Sequence, residues 1–174
     1  MSEYRFNVST LLQQPTGAIR QYDLDDERLD LDDGLMVAPV KGHLRLTRTL
    51  KGVLADADLH GPVELECGRC LTTLSQDIPF SFSEEFYQTV VVHTGAHLER
   101  PEDPDVFLID GLHMLDLEPA LREYALLNLP MLPLCKTDCL GLCAECGANL
   151  NDGPCACEPD KIDDRFAALK QIKI

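Results

Sequence analysis

The chain has 174 residues, of which 45% are apolar, 26% are charged and eight are cysteine. This length allows one globular domain, or one domain with a small metal-stabilised appendage. No apolar run approaches the roughly 18 residues of a membrane span, so we expect no transmembrane segment. The net charge of -15 repels phosphate backbones, which disfavours direct binding to naked RNA and favours a basic protein as the partner.

The first 36 residues contain few signals of regular structure. A short apolar segment from Phe6 to Leu12 precedes a run from Arg20 to Asp33 with seven carboxylates and two arginines. This composition favours a solvated loop. Residues 1–30 contain no uninterrupted apolar stretch, so we predict no signal peptide and expect a reducing, cytoplasmic location.

Alternating apolar and polar residues begin at Val37 and predict β-strands with one buried face. Turn-forming pairs at Lys51-Gly52 and Gly61-Pro62 separate three such segments. The motif Cys67-Gly68-Arg69-Cys70 lies between the third and a fourth segment, so we expect it to form a hairpin turn. The predicted fold class is α+β, built on an antiparallel β meander with a few helices and a cysteine-rich, zinc-stapled C-terminal region.

The stretch from Thr89 to Pro104 is predicted to be a mobile connection. His93 and His97 have the i, i+4 spacing of a helical metal pair, but Gly95 between them disfavours a helix. We therefore interpret both histidines as loop residues.

Two helices are predicted in the C-terminal half. Asp116 can cap a helix over about 117–129, with Pro119 in its first turn and Pro130 ending it. A second apolar stripe of helical spacing, from Ile162 to Ile172, predicts a terminal helix that packs on the domain. We divide the chain into a β-rich domain, 1–134, and a cysteine-rich zinc-binding region with the C-terminal helix, 135–174, packed on the same domain.

The cysteines form four pairs, and four pairs can build two closed zinc sites of four thiolates each. Cys143 to Gly147 has the form Cys-x-x-Cys-Gly, in which glycine allows the turn that points backbone N–H groups at the sulfurs. Short loops favour one local site from the last four cysteines, which leaves the first four for a second site. The eight candidate zinc ligands are Cys67, Cys70, Cys135, Cys139, Cys143, Cys146, Cys155 and Cys157.

Three other interpretations of the thiols remain open. A disulfide framework requires an oxidising compartment, for which the sequence shows no export signal. A thioredoxin-like redox pair opens a helix after a buried strand, whereas Cys146 is followed by turn-forming residues up to Pro154. Inert buried thiols are the third possibility. The even pairing favours structural zinc over all three.

Several short motifs occur together with the cysteine pairs. They are Cys67-Gly68-Arg69-Cys70-Leu71, Asp116-Leu117-Glu118, Arg122-Glu123, Leu129-Pro130, the stretch from Cys139 to Asn151, Asp164-Arg165 and Leu169. This combination spans about residues 40–172 and resembles the bacterial YceD family. No single motif among them would be specific enough alone.

The resemblance implies a role in accumulation of large-subunit (23S) ribosomal RNA, and hence in ribosome biogenesis, with no enzymatic activity and no catalytic residue. The expected partner is a basic ribosomal protein or a pre-ribosomal particle. A metal-dependent enzyme, such as a nuclease acting on precursor RNA, is the alternative. It would need converging carboxylates or an open zinc position, and the sequence shows neither. A generic protein-interaction module is the third class.

Overall fold

A computed structural model describes residues 4–31 and 34–157, with the backbone alone at residues 26 and 27. This part of the chain contains seven strands and two helices. In chain order they are β1 (Arg5–Asn7), α1 (Ser9–Leu12), β2 (Ile19–Asp30), β3 (Met36–Arg48), β4 (Gly52–Glu66), β5 (Thr73–Gln88), β6 (Phe107–Ile109), β7 (Met114–Asp116) and α2 (Glu118–Leu127). The predicted α+β class is confirmed, whereas the predicted terminal helix lies outside the described residues.

The main sheet has the strand order β2-β3-β4-β5-β6. Its first four strands are antiparallel and follow each other in sequence, so the predicted meander is confirmed. The short strand β6 joins β5 in parallel, with Phe86 opposite Phe107. A second, two-stranded sheet pairs β1 with β7, which brings the start of the described chain against the segment before α2.

One face of the main sheet supplies most of the core. Along β3 and β4 the buried side chains alternate with exposed ones, as in Leu44, Leu46, Ala55 and Ala57. Helix α2 covers this face through a buried stripe that includes Leu121. The opposite face is solvated and polar, which is typical of an antiparallel sheet packed on one side.

Helix α2 occupies the predicted position, with ends that differ by one or two residues from the predicted 117–129. The Asp116 carboxylate accepts a hydrogen bond from the Glu118 N–H at 3.1 Å, which satisfies one of the free donors of the first turn. Tyr124 stacks on Phe82 of β5 with ring centroids 5.2 Å apart. The helix is thereby held against the sheet close to the cysteine-rich segment that follows it.

The prediction of a solvated loop at Arg20–Asp33 was wrong, because most of this run is strand β2. Leu24 and Leu29 are both buried although they lie an odd number of residues apart. Register shifts between them, on either side of Glu27, restore the inward orientation of the second leucine. The irregularity breaks the strict alternation on which a strand prediction depends.

The predicted turn at Gly61-Pro62 was also wrong, since β4 continues through both residues. A Cβ atom at Gly61 would lie 2.5 Å from the carbonyl oxygen of Pro39, so glycine here permits a close approach of two backbones. The register between β3 and β4 shifts between Val37 and Lys41, next to this contact. Gly61 and Pro62 therefore lie at an irregularity in the pairing of β3 with β4, and not at the end of β4.

The long connection between β5 and β6 contains an isolated bridge between Val90 and His97 and no helix. His93 and His97 are both exposed there, in agreement with their interpretation as loop residues. Among residues 4–31 and 34–157, neither helix combines the length and apolarity that a membrane span requires.

Candidate metal centres

The first cysteine pair forms the hairpin turn between β4 and β5, as predicted. The Leu71 N–H donates to the Cys67 carbonyl at 2.9 Å, and the Cys67 N–H donates to the Thr72 carbonyl at 2.9 Å. Leu71 has a φ of 58°, in the left-handed region where glycine is favoured. The Gly68 N–H donates to the Pro133 carbonyl at 2.8 Å, which ties the turn to the segment after α2.

This segment brings two further cysteines to the hairpin turn and completes a first group, Cys67, Cys70, Cys135 and Cys139. All four sulfurs lie within 4.8 Å of one another. The distance is 3.8 Å between the Cys67 and Cys139 sulfurs and 3.5 Å between those of Cys70 and Cys135. A tetrahedral zinc ion with Zn–S bonds of about 2.3 Å requires sulfur separations of about 3.8 Å. A disulfide requires about 2.05 Å.

The second group consists of Cys143, Cys146, Cys155 and Cys157, whose sulfurs again lie within 4.8 Å of one another. The Gly147 N–H donates to the Cys143 carbonyl at 2.9 Å, and the Cys143 N–H donates to the Ala148 carbonyl at 2.8 Å. These bonds repeat those of the first hairpin turn with the same residue offsets. Gly147, at φ 71°, occupies the position that Leu71 holds in the first turn.

The two groups differ in burial. In the first group Cys67, Cys70 and Cys139 are buried, and the partly buried Leu74, Leu134 and Leu142 pack against them. In the second group no thiol is fully buried. The first group is therefore part of the packed structure, whereas the second lies in an exposed loop.

The thiols of the first group differ in how easily they lose a proton. Hydrogen bonds from the backbone N–H groups of Cys135, Arg69 and Cys70 lower the pKa of the Cys67 thiol to about 6. The pKa of the Cys135 thiol is raised to about 12, chiefly by its hydrogen bond with the Cys70 sulfur. Negative charge already present opposes a further thiolate, and a divalent cation relieves this repulsion.

The second group repeats this electrostatic pattern. Backbone N–H groups of Cys146 and Glu145 lower the pKa of the Cys143 thiol to about 7. The pKa of the Cys157 thiol is raised to about 12, chiefly by a hydrogen bond with the Cys146 sulfur. The donor set, the sulfur separations and the backbone N–H groups therefore fit a four-thiolate metal ion in both groups.

All eight candidate cysteines are brought together in the two predicted groups of four. Metal binding itself stays a prediction. Two polar contacts at the first group were not predicted from the sequence. Arg69 donates from Nη1 to the Cys139 carbonyl at 2.9 Å, and Asn151 donates from Nδ2 to the Cys139 sulfur at 3.3 Å. Both residues belong to the motifs that carry the family resemblance, but nothing in those motifs indicates a contact with Cys139.

A mainly antiparallel sheet with one group of four thiols at its β4–β5 turn, and a second group in the segment after α2, define a small sheet protein with candidate metal centres. The sequence matches the family described as "Large ribosomal RNA subunit accumulation protein YceD" over residues 55–173. The chain belongs to this family.

Similar proteins occur in several organisms. An uncharacterized protein of Mycobacterium leprae is 31% identical over 135 residues, which is 78% of this chain and 59% of the relative. The uncharacterized protein YlbN of Bacillus subtilis is 28% identical over 142 residues, covering 78% of this chain and 75% of the relative.

One relative has a name that states a role, the chloroplastic large ribosomal RNA subunit accumulation protein YCED homolog 1 of Arabidopsis thaliana. It is 26% identical over 165 residues, which is 83% of this chain and 50% of the relative. The chain thus spans 59% of the mycobacterial relative and half of the plant relative. No solved structure matches the chain.

Proposed function

We propose that this protein is a non-enzymatic, zinc-binding factor of ribosome biogenesis that supports accumulation of large-subunit (23S) ribosomal RNA in the cytoplasm. The observation that carries this proposal is the family match over residues 55–173. The match includes most of β4, all of β5 and α2, and both cysteine groups. The name of the Arabidopsis relative supports the same role.

The proposed cofactor is zinc, with one ion in each cysteine group. Closed sites of four thiolates are typical of structural zinc, whereas catalytic zinc sites keep one position open for water or substrate. Both groups already supply four sulfur ligands from the chain. The proposed role of the first ion is therefore to hold the hairpin turn and the segment after α2 together, and that of the second is to close the loop between Cys143 and Cys157.

Elemental analysis of protein purified under reducing conditions tests the cofactor. We expect about two zinc ions per chain, because two separate groups fit the ion. A fully folded protein without metal would contradict the proposed cofactor. A value near one would assign one group of cysteines as free thiols.

The proposed partner is a basic ribosomal protein, met alone or within a pre-ribosomal particle. The chain has 30 acidic residues against 15 basic ones. Eight thiolates and two divalent ions would add four further negative charges and make the net charge -19. Acidic side chains stand on the solvated face of the sheet, where Asp23 is 83% exposed and Asp25 is 67% exposed. On β3 the His43 side chain lies 2.6 Å from Asp23 and the Lys41 side chain lies 2.8 Å from Asp25, so a basic partner would compete with these two contacts for the carboxylates.

The sedimentation profile of ribosomes tests the biological role. In a strain that lacks the gene, we expect fewer large subunits and a lower ratio of 23S to 16S RNA. Tagged protein should also sediment with ribosomal particles of the wild-type strain. An unchanged profile, or cleavage of precursor RNA by the purified protein, would contradict the proposed role.

Binding to large-subunit proteins tests the partner. We expect capture to weaken as salt rises from roughly 50 to 500 mM, because the screening length falls from about 14 Å to about 4 Å. The double variant Asp23→Asn/Asp25→Asn should weaken capture at low salt. Glu99→Gln/Glu102→Gln is a matched control, since it removes two exposed charges from the β5–β6 connection. If both double variants reduced capture equally, the solvated face of β2 would not be the specific contact surface.

A further inference from the structure

We propose that Asn151 is a positioning residue that makes metal binding at the first cysteine group depend on the second. The proposal rests on the two metal sites proposed above. Asn151 lies between Cys146 and Cys155, so its backbone belongs to the loop that closes the second group. Its side chain contacts Cys139, a member of the first group.

The Asn151 side chain holds the first group by two hydrogen bonds. Nδ2 donates to the Cys139 sulfur at 3.3 Å. Oδ1 accepts from the Leu140 N–H at 3.0 Å. One amide therefore fixes both the sulfur of Cys139 and the backbone that follows it. An N–H donor at a thiolate stabilises its negative charge and orients it for the ion.

Asn151 is in turn held by its own loop. The Asn149 Oδ1 accepts from the Asn151 backbone N–H at 3.1 Å and from its Nδ2 at 2.7 Å. The Leu150 N–H donates to the Gly141 carbonyl at 2.9 Å. The position of the amide thus depends on the conformation of the loop between Cys146 and Cys155.

A metal ion in the second group would restrain this loop through its two ends. Restraint at Cys146 and Cys155 lowers the entropy lost when Asn151 is held against Cys139. An ion in the second group therefore favours binding at the first. Because such coupling is reciprocal, an ion in the first group favours binding at the second by the same factor.

Competition for zinc with a chromogenic chelator tests the proposal on the full chain. The variant Asn151→Asp keeps the side-chain shape, but it replaces the N–H donor with a carboxylate beside a thiolate. We expect zinc affinity at the first group to fall about 10- to 100-fold, which is the usual effect of removing a hydrogen-bond donor to a metal-ligating side chain. Asn149→Asp is the matched control, because it adds the same charge nearby while keeping its acceptor oxygen. Its expected effect is several-fold smaller.

Replacing zinc with cobalt gives an absorption band that reports directly on the thiolate ligands. This band would not change if Asn151 only supported the fold. The thiolate-to-cobalt charge-transfer band of the first group should shift in Asn151→Asp, because the sulfur of Cys139 loses a donor. In Cys157→Ser, which disables the second group, only the first group contributes to the band. The band can therefore be assigned without ambiguity.

The coupling is measured with a double-mutant cycle of Asn151→Asp and Cys157→Ser. We expect Cys157→Ser alone to weaken the first group and to reduce the further effect of Asn151→Asp. The proposal would be overturned if Asn151→Asp left the zinc affinity and the cobalt band of the first group unchanged. It would also be overturned if Asn151→Asp lowered that affinity by the same factor whether the second group is intact or disabled. These outcomes leave the proposed function untouched, whereas wild-type protein without zinc would contradict the proposed metal sites instead.

Discussion

The two cysteine groups should differ in their contribution to the stability of the fold. Replacing Cys67 with serine disables the first group, and replacing Cys146 with serine disables the second. We expect both variants to unfold at lower temperature than the wild type, and Cys67→Ser to lose more. The difference follows from the lengths of chain that each group closes.

A metal ion stabilises the folded state only by the difference between its affinities for the folded and unfolded chains. The second group spans eight residues between Cys146 and Cys155, so the unfolded chain can still gather these ligands. The first group spans 64 residues between Cys70 and Cys135. This loop is three doublings longer, and each doubling costs about 0.6 kcal/mol of closure entropy. At equal native affinity, the first ion therefore stabilises the fold by about 2 kcal/mol more.

Burial acts in the same direction, because Cys67 is buried whereas Cys146 is exposed. For a chain of this length, about 2 kcal/mol corresponds to a difference in Tm of roughly 4–8 °C. Thermal unfolding followed by far-ultraviolet circular dichroism, at matched zinc and in reducing buffer, measures the difference. Equal losses, or a larger loss for Cys146→Ser, would refute the reasoning.

Two further predictions concern the backbone of the sheet and its hairpin turn. Leu71→Gly should stabilise the protein by about 1 kcal/mol in chemical denaturation, because Leu71 has a φ of 58° and a side chain that is 60% exposed. A decrease in stability would show that the leucine side chain has a packing role. Gly42→Ala should destabilise it by about 2 kcal/mol or more, since a Cβ at φ 141° would lie 2.2 Å from the Asp58 carbonyl oxygen. Gly111→Ala, where the nearest such contact is 4.0 Å, is the control and should change the midpoint little.

The sheet could be predicted from sequence wherever alternation is strict. Along β3 and β5, period-two patterns predict strands because each has one face in the core. The prediction failed in β2 because a register shift separates Leu24 from Leu29. It also failed at Gly61-Pro62, where the residues that usually mark a turn accommodate a close contact between strands.

The number of cysteine groups could be predicted, because four pairs of thiols suffice for two sites of four. Spacing alone does not decide which pairs combine, since only three residues separate Cys139 from Cys143, against eight between Cys146 and Cys155. The contact of Asn151 with Cys139 could not be predicted in this way. It depends on the three-dimensional path of the loop after Cys146, for which the sequence shows only turn-forming residues.

The pairing of the parallel strand β6 could not be predicted from sequence either. Phe107–Ile109 is a short apolar segment, and nothing in its length or composition identifies β5 as its neighbour. Its position is decided by packing, since Phe107 stacks on Phe86 with ring centroids 5.1 Å apart. Contacts between segments that are distant in sequence decide such pairings.

The placement of Cys67 and Cys139, 72 residues apart, has a consequence for the order of events during synthesis. The chain is made from its N-terminus, so the hairpin turn with its two thiols exists before the segment that completes the first group. During this interval Cys67 and Cys70 have no partners and are open to oxidation. If the ions bind as proposed, metal loading is among the last steps of maturation. In a zinc-starved cell, chains would then lack the restraint that joins the turn between β4 and β5 to the segment after α2, and the thiols of that turn would stay exposed to oxidants.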